Sequence, residues 1–258
     1  MLTTFRRLWS LVSGRSLPAR ERRVRRRLRP FLSEYEELIA LCYDYIARTA
    51  DTYAANPELQ RPVANLQLVL LMRLQADLRV CVRCARDGYP FQALTVASAI
   101  HEISYALIYL GDSDDRARKW TEHTNARKQY PESGHRSAIE SAKAYFPLTP
   151  GEIEQEYGIY GQLCWGKHGN PILQTEYGVI DKGAVAEVQQ LPYYSTRTVA
   201  YARYALLHSA RAVGAALVVF TTLHLIPKAP QTLMDHLMAI GPSLNKLGTR
   251  DGLMEPRL

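Results

Sequence analysis

The densest group of chemically capable side chains lies between 157 and 171, where Tyr160, Cys164, Lys167 and His168 fall among Gly158, Gly161, Gly166 and Gly169. Glycine lets backbone approach a neighbour or a ligand closely. A histidine in such a setting can take or give a proton near neutral pH. Equally, Lys167 and His168 at a helix end would satisfy its last carbonyls as cations. A second candidate is Glu102, which with His101 interrupts an otherwise apolar stretch over 91–110. An ionised carboxylate cannot be buried alone, so Glu102 is expected to be protonated or paired. The structural expectation is a partner from the preceding helix, Arg79 or Arg83. The functional expectation is a base, or a group that orients a histidine. Glu102, His168 and Tyr160 are together the expected lining of a pocket inside the molecule.

Arg197, Tyr201, Tyr204, His208 and Arg211 recur at spacings of four and three, which puts all five on one face of a helix. That seam could receive an anionic ligand. It is also what an amphipathic rim with buried ring bodies and wet tips looks like. Cys81 and Cys84 form a lone C-x-x-C, and Cys164 with His168 a C-x-x-x-H. Four such ligands could hold zinc, but Cys81 and Cys84 sit within the apolar periodicity of their helix, where cysteine acts as a small core residue. No metal and no cofactor is therefore expected. Phosphate-binding glycine loops, G-x-S-x-G and H-E-x-x-H are all missing from the sequence.

The order Tyr160, Leu163, Cys164, His168, Gly169, with Glu102 some sixty residues earlier, resembles an uncharacterised bacterial helical family, domain of unknown function 5677. Its motifs are Tyr-x-x-Leu-Ser-x-x-x-His-Gly and Arg-x-x-x-Glu. Cys164 stands where the family has serine, and Ser98 where it has arginine. The resemblance covers roughly 66–170 and implies a helical bundle in which Glu102 and His168 face one another. It brings no established activity. A more distant similarity is to HEPN nucleases, helical proteins with an Arg-x4–6-His motif. Arg203 with His208 and Arg118 with His123 both fit that spacing. Five residues on a straight helix, however, separate two side chains by about 140°.

The elements that must position these residues read as helices almost throughout. Ser33 with Glu36 forms a capping box opening a helix over 33–55, and Pro57 and Pro62 break the chain after it. Val63, Leu66, Leu70, Leu74, Leu78, Cys81, Val82 and Ala85 mark an amphipathic helix that Gly88 ends. Pro90 suits the first turn of the next, whose apolar character on nearly every side implies burial. Further helices are expected over 112–130, between Gly134 and Pro147, and over 152–165, 192–225 and 230–247. The stretch 166–191 holds five glycine or proline breakers and reads as a long loop or a short hairpin near 175–180. The fold class is all-α: a single bundle of six to eight helices over 31–250, between an arginine-rich extension at 1–30 and a tail at 251–258. The charge-free stretch 212–227 is sixteen residues long and short of the about 20 that a membrane span needs, so it reads as a core helix.

Charge is concentrated at one end. Ten of the first thirty residues are arginine, opposed only by Glu21. Removing them from the chain's 32 basic and 25 acidic residues leaves 22 against 24, so the body is nearly neutral. Arginines interrupt the short apolar run at the start, so no secretory signal is expected there. Four cysteines in 258 residues do not make a disulfide scaffold, and a cytoplasmic protein, or one peripheral at a membrane, is expected. Val24, Leu28 and Phe31 share one face of the basic segment. It could lie on anionic lipid with that stripe inserted, neutralise nucleic acid phosphates, or be a solvated tail, a targeting segment or a start-site artefact. The functional expectation is a helical binding module with a Glu/His-lined pocket for an unknown small ligand and a basic end contacting membrane or nucleic acid. The alternative is a metal-independent ribonuclease or nucleotide-modifying toxin with His168 or His208 as base.

Overall fold

A computed structural model describes residues 17–124, 134–168, 194 and 196–253. They are 88% helical, with no strand among the described residues, which establishes the all-α class. The first described helix is α1 (Leu17–Ala54), followed by α2 (Pro62–Asp87) and α3 (Pro90–Leu110). Three shorter helices follow: α4 (Asp114–Thr121), α5 (His135–Ser141) and α6 (Pro150–Leu163). A single turn, α7 (Trp165–His168), precedes the long α8 (Thr196–His224) and the closing α9 (Gln231–Asp251).

Helix α1 starts well before Ser33, which revises the expected boundary. Pro30 lies inside it, where it supplies no N–H for a helical hydrogen bond and its ring crowds the carbonyl one turn earlier. What carries the helix through is its apolar stripe. Val24, Leu28, Leu32, Tyr35, Ile39, Cys42 and Ile46 are all buried in the main core. Burial of this face outweighs the proline and the weak local start signal. Residues 17–30 are thus part of the bundle, and the stripe at Val24 and Leu28 is already covered by protein. Phe31 alone of the three expected stripe residues remains exposed, at 39%.

The signals farther along behave as read. Gly88 ends α2 in the left-handed conformation, φ 89°, and Pro90 occupies the first turn of α3. Helix α6, expected from 152, starts at Pro150 behind a capping box, Thr149 with Glu152, that sequence reasoning missed. Helix α4 is shorter than expected, and the end of the expected 112–130 helix falls outside the described residues, as does the hairpin near 175–180. At the other end, Leu253 is 2% exposed, so the expected tail begins no earlier than 254.

Helices α3 and α8 form the centre of the bundle and pack on each other more extensively than any other pair, with α2 against both. These two are long and apolar enough to cross a membrane, yet 72% of each such window is buried inside the molecule. Their apolar surface is therefore used by neighbouring helices. A second, smaller core of Tyr105, Tyr109, Ile139 and Ile153 fastens α5 and α6 onto the far half of α3.

Candidate functional site

Where α3, α5, α6 and α8 meet, a chain of polar groups runs through the interior. His101 on α3 is fully buried, His135 opens α5 at 6% exposure, and Glu156 on α6 is 4% exposed. His101 Nδ1 lies 2.9 Å from His135 Nε2. On its other side, His101 Nε2 is 3.0 Å from Glu156 Oε1. Arg211 of α8 holds the second carboxylate oxygen, Nη2 to Oε2, at 2.7 Å. A carboxylate can only accept, so His101 Nε2–H donates to Glu156. In the neutral tautomer Nδ1 then accepts from His135 Nε2–H.

The electrostatics follow from this geometry. Burial pushes the Glu156 carboxyl upward, but the His101 hydrogen bond and the Arg211 charge outweigh it and hold it at about 2. His135 is pushed down to about 2, first by burial and then by His101 beside it. Tyr105 is raised well above a normal phenol by burial and by the Glu156 charge. The result is an ionised carboxylate behind two imidazoles, the outer of which is held neutral.

Beside the chain, Glu102 and Tyr160, two of the three expected site residues, meet. Tyr160 OH donates to Glu102 Oε1 at 2.5 Å, and Lys167 Nζ reaches the same oxygen at 3.1 Å. The Tyr160 ring lies tilted against that of His135, centroids 4.1 Å apart, joining the two groups. Glu102 is therefore paired, as burial required, but by Lys167 and Tyr160. The expected partners Arg79 and Arg83 project instead toward α1, where they line a groove. Lys167 comes into reach because α7 lies directly on α3. A Cβ on Gly166 would run into the Phe91 carbonyl oxygen and stand 3.0 Å from Thr95 Oγ1, so only glycine allows this approach. His168 ends α7, and its side chain lies outside the described residues.

The five-residue seam of α8 runs into the bundle rather than along its rim. Arg197 is exposed and Tyr201 half-buried, with its ring 6.1 Å from Phe91. Tyr204 and His208 are 5% and 1% exposed. Arg211 ends the seam on Glu156. His208 Nε2–H donates to the Leu253 carbonyl at 2.8 Å, and burial pushes it down to about 3. Arg203 faces α1, donating from Nε to the Phe31 carbonyl at 3.0 Å. Arg203 and His208 therefore do not converge, as the 140° separation implied. Cys81 and Cys84 stay in or near the core, and no cluster of three metal-capable side chains occurs among the described residues.

Sequence reasoning missed His135 and Glu156. Glu156 had a signal: it shares a helix face with Ile153, Ile159 and Leu163, all buried. A carboxylate on an apolar face demands a cation, which Arg211 supplies. His135 stood beside Gly134 in a stretch read only as a short helix.

A different surface gathers the positive charge. Arg22, Arg23, Arg26, Arg27 and Arg29 are exposed on α1, opposite buried Val24 and Leu28. The helix is tied down at its start: Tyr89 OH donates to Glu21 at 2.7 Å, and Arg25 pairs with the nearly buried Asp87 at 2.7 Å. Arg27 lies over the Tyr194 ring. Compared with family models, curated proteins and solved structures, the chain matches none.

Proposed function

We propose that this protein is a helical binding module that holds nucleic acid on the arginine face of α1. One observation carries the reading: five exposed arginines stand on a helix whose opposite, apolar face is buried in the core. A stripe already covered by protein has nothing to insert between lipid chains, which weighs against the amphipathic membrane mode. Arginines on a fixed helix, by contrast, suit phosphates, which they meet in planar, bidentate geometry. Binding of this kind releases counterions, so log affinity falls linearly with log salt. Five phosphate contacts correspond to a slope of about −3.5 on single strands and about −4.5 on duplex.

The test is fluorescence anisotropy of a labelled oligonucleotide with the full chain, between about 50 and about 200 mM salt. Charge reversal at Arg22, Arg23, Arg26 and Arg27 together is expected to abolish binding without unfolding the bundle, since these side chains are exposed. Unchanged affinity in that variant removes the reading. Retention on anionic vesicles but not on oligonucleotide would return the membrane alternative.

A second reading rests on the Glu156–His101–His135 chain. An orienting carboxylate behind imidazole is what a general base requires. In a metal-independent ribonuclease, His135 would take the role expected of His168 or His208, and because the fold holds it at about 2 it would accept a proton only where a bound phosphate's charge raises that value. RNA cleavage in the presence of chelator, lost in His135→Asn, is the result expected of it. No cleavage by the intact chain removes it.

A further inference from the structure

A groove runs between α1 and α2 next to the arginine face. Its volume is about 680 Å³, within the usual range for small-ligand sites. Arg25, Arg79, Arg83 and Arg86 line it together with Glu36 and Tyr43. Three of the arginines converge on one carboxylate: Asp87, only 6% exposed, lies 2.7 Å from Arg25, 3.7 Å from Arg86 and 4.0 Å from Arg83. One acid cannot use the donors of three guanidiniums. Arg83 stays 80% exposed, and the buried Nε of Arg86 makes no hydrogen bond among the described residues. The groove therefore carries more guanidinium donors than Asp87 can take up, those of Arg83 facing solvent.

Its other lining groups are not those of a simple phosphate trap. Tyr43 is half-buried, its backbone held by Gln75 Nε2 donating to its carbonyl at 3.1 Å. A phenol ring on a fixed backbone is a stacking platform for a planar ring. Glu36 can only accept when ionised, so it suits the amino and imino donors on the edge of a base.

We propose that this groove takes an unpaired nucleotide, with the base on Tyr43, its donor edge toward Glu36, and its flanking phosphates on Arg79, Arg83 and Arg86. The proposal deepens the nucleic acid reading above and rests on it: it makes the ligand single-stranded. A duplex keeps its base faces stacked and can meet only the arginines on the ridge, whereas an open strand can meet the ridge and fill the groove.

The experiment compares a labelled single-stranded RNA, a duplex of equal phosphate number and heparin, each with the full chain at one salt concentration. The single strand is expected to bind about tenfold more tightly than the duplex. Tyr43→Ala should erase that preference while leaving duplex and heparin affinity unchanged. Tyr43→Phe, which keeps the ring, should retain it, and circular dichroism of both variants reports folding. Arg83→Glu, at an exposed position, should weaken the single strand more than heparin. Equal affinity for single strand and duplex in the wild-type chain, or an unaltered preference in a folded Tyr43→Ala, overturns the groove assignment and leaves the arginine face standing. Failure to bind any of the three polyanions at low salt sinks both.

Discussion

Glu156 is the residue on which the interior depends most. Its two oxygens serve His101 and Arg211, and removing the charge leaves a guanidinium without its counter-ion. Glu156→Ala should cost about 3–5 kcal/mol in urea unfolding, the range for breaking a buried pair from one side. Exchanging exposed Glu154 for alanine should cost well under about 1 kcal/mol, although it too has an arginine partner, Arg136. The sequence pointed to Glu102 instead because a carboxylate in a wholly apolar helix is conspicuous. Glu156 sits in a mixed helix with glutamates at 152 and 154, where only the phase of the apolar residues marks it out. The pairing of Tyr160 and Lys167 with Glu102 was half legible: types and helix ends could be read, but which cation arrives depends on packing.

At the scale of elements, α1 and α7 each rest on a contact that local rules do not reveal. The apolar stripe of α1 continues through Pro30, so Leu28→Ala, at a fully buried position, should lose about 2–5 kcal/mol. Charge reversal at Arg22 and Arg26 should leave the unfolding free energy within about 0.5 kcal/mol of wild type. Deleting the segment would confound the two effects, which is why substitution is the proper test of the arginine face. The capping signal suggested a start at Ser33 because it reports local preference, and here burial overrides it. For α7, Gly166→Ala places a methyl against the α3 backbone. It should destabilise the fold by about 1–3 kcal/mol, as overpacking does, and separate Lys167 from Glu102. A Lys167→Met control distinguishes loss of the ion pair from loss of the docking.

For the molecule as a whole, buried imidazoles set the response to acid. His135 and His208 titrate near the ordinary 6.5 when unfolded but are held at about 2 and about 3 in the fold. The unfolded chain therefore binds more protons below 6.5, and native stability, complete above that pH, declines as pH falls. Each histidine can contribute up to about 1.4 kcal/mol per pH unit until its own folded value is reached. Glu156 adds to the same trend between the ordinary 4.5 and about 2, where its ion pair is protonated away. Thermal melts should thus fall continuously from pH 6.5 to 4, and His208→Gln should flatten that decline. A melting temperature constant over this range would contradict the buried neutral histidines. The all-α class and the central place of α3 and α8 were readable from apolar periodicity, since those signals span whole helices. The convergence of residues 101, 135, 156 and 211 was not, because it is created by four helices whose mutual rotation no local pattern encodes.

The anchoring of the first helix through Glu21 on Tyr89 and Arg25 on Asp87 has a consequence for trypsin. Cleavage needs several residues in extended form, so sites at Arg22 to Arg27 open only when this helix lifts from the body. Digestion there measures that undocking directly, and it should slow when an oligonucleotide is bound.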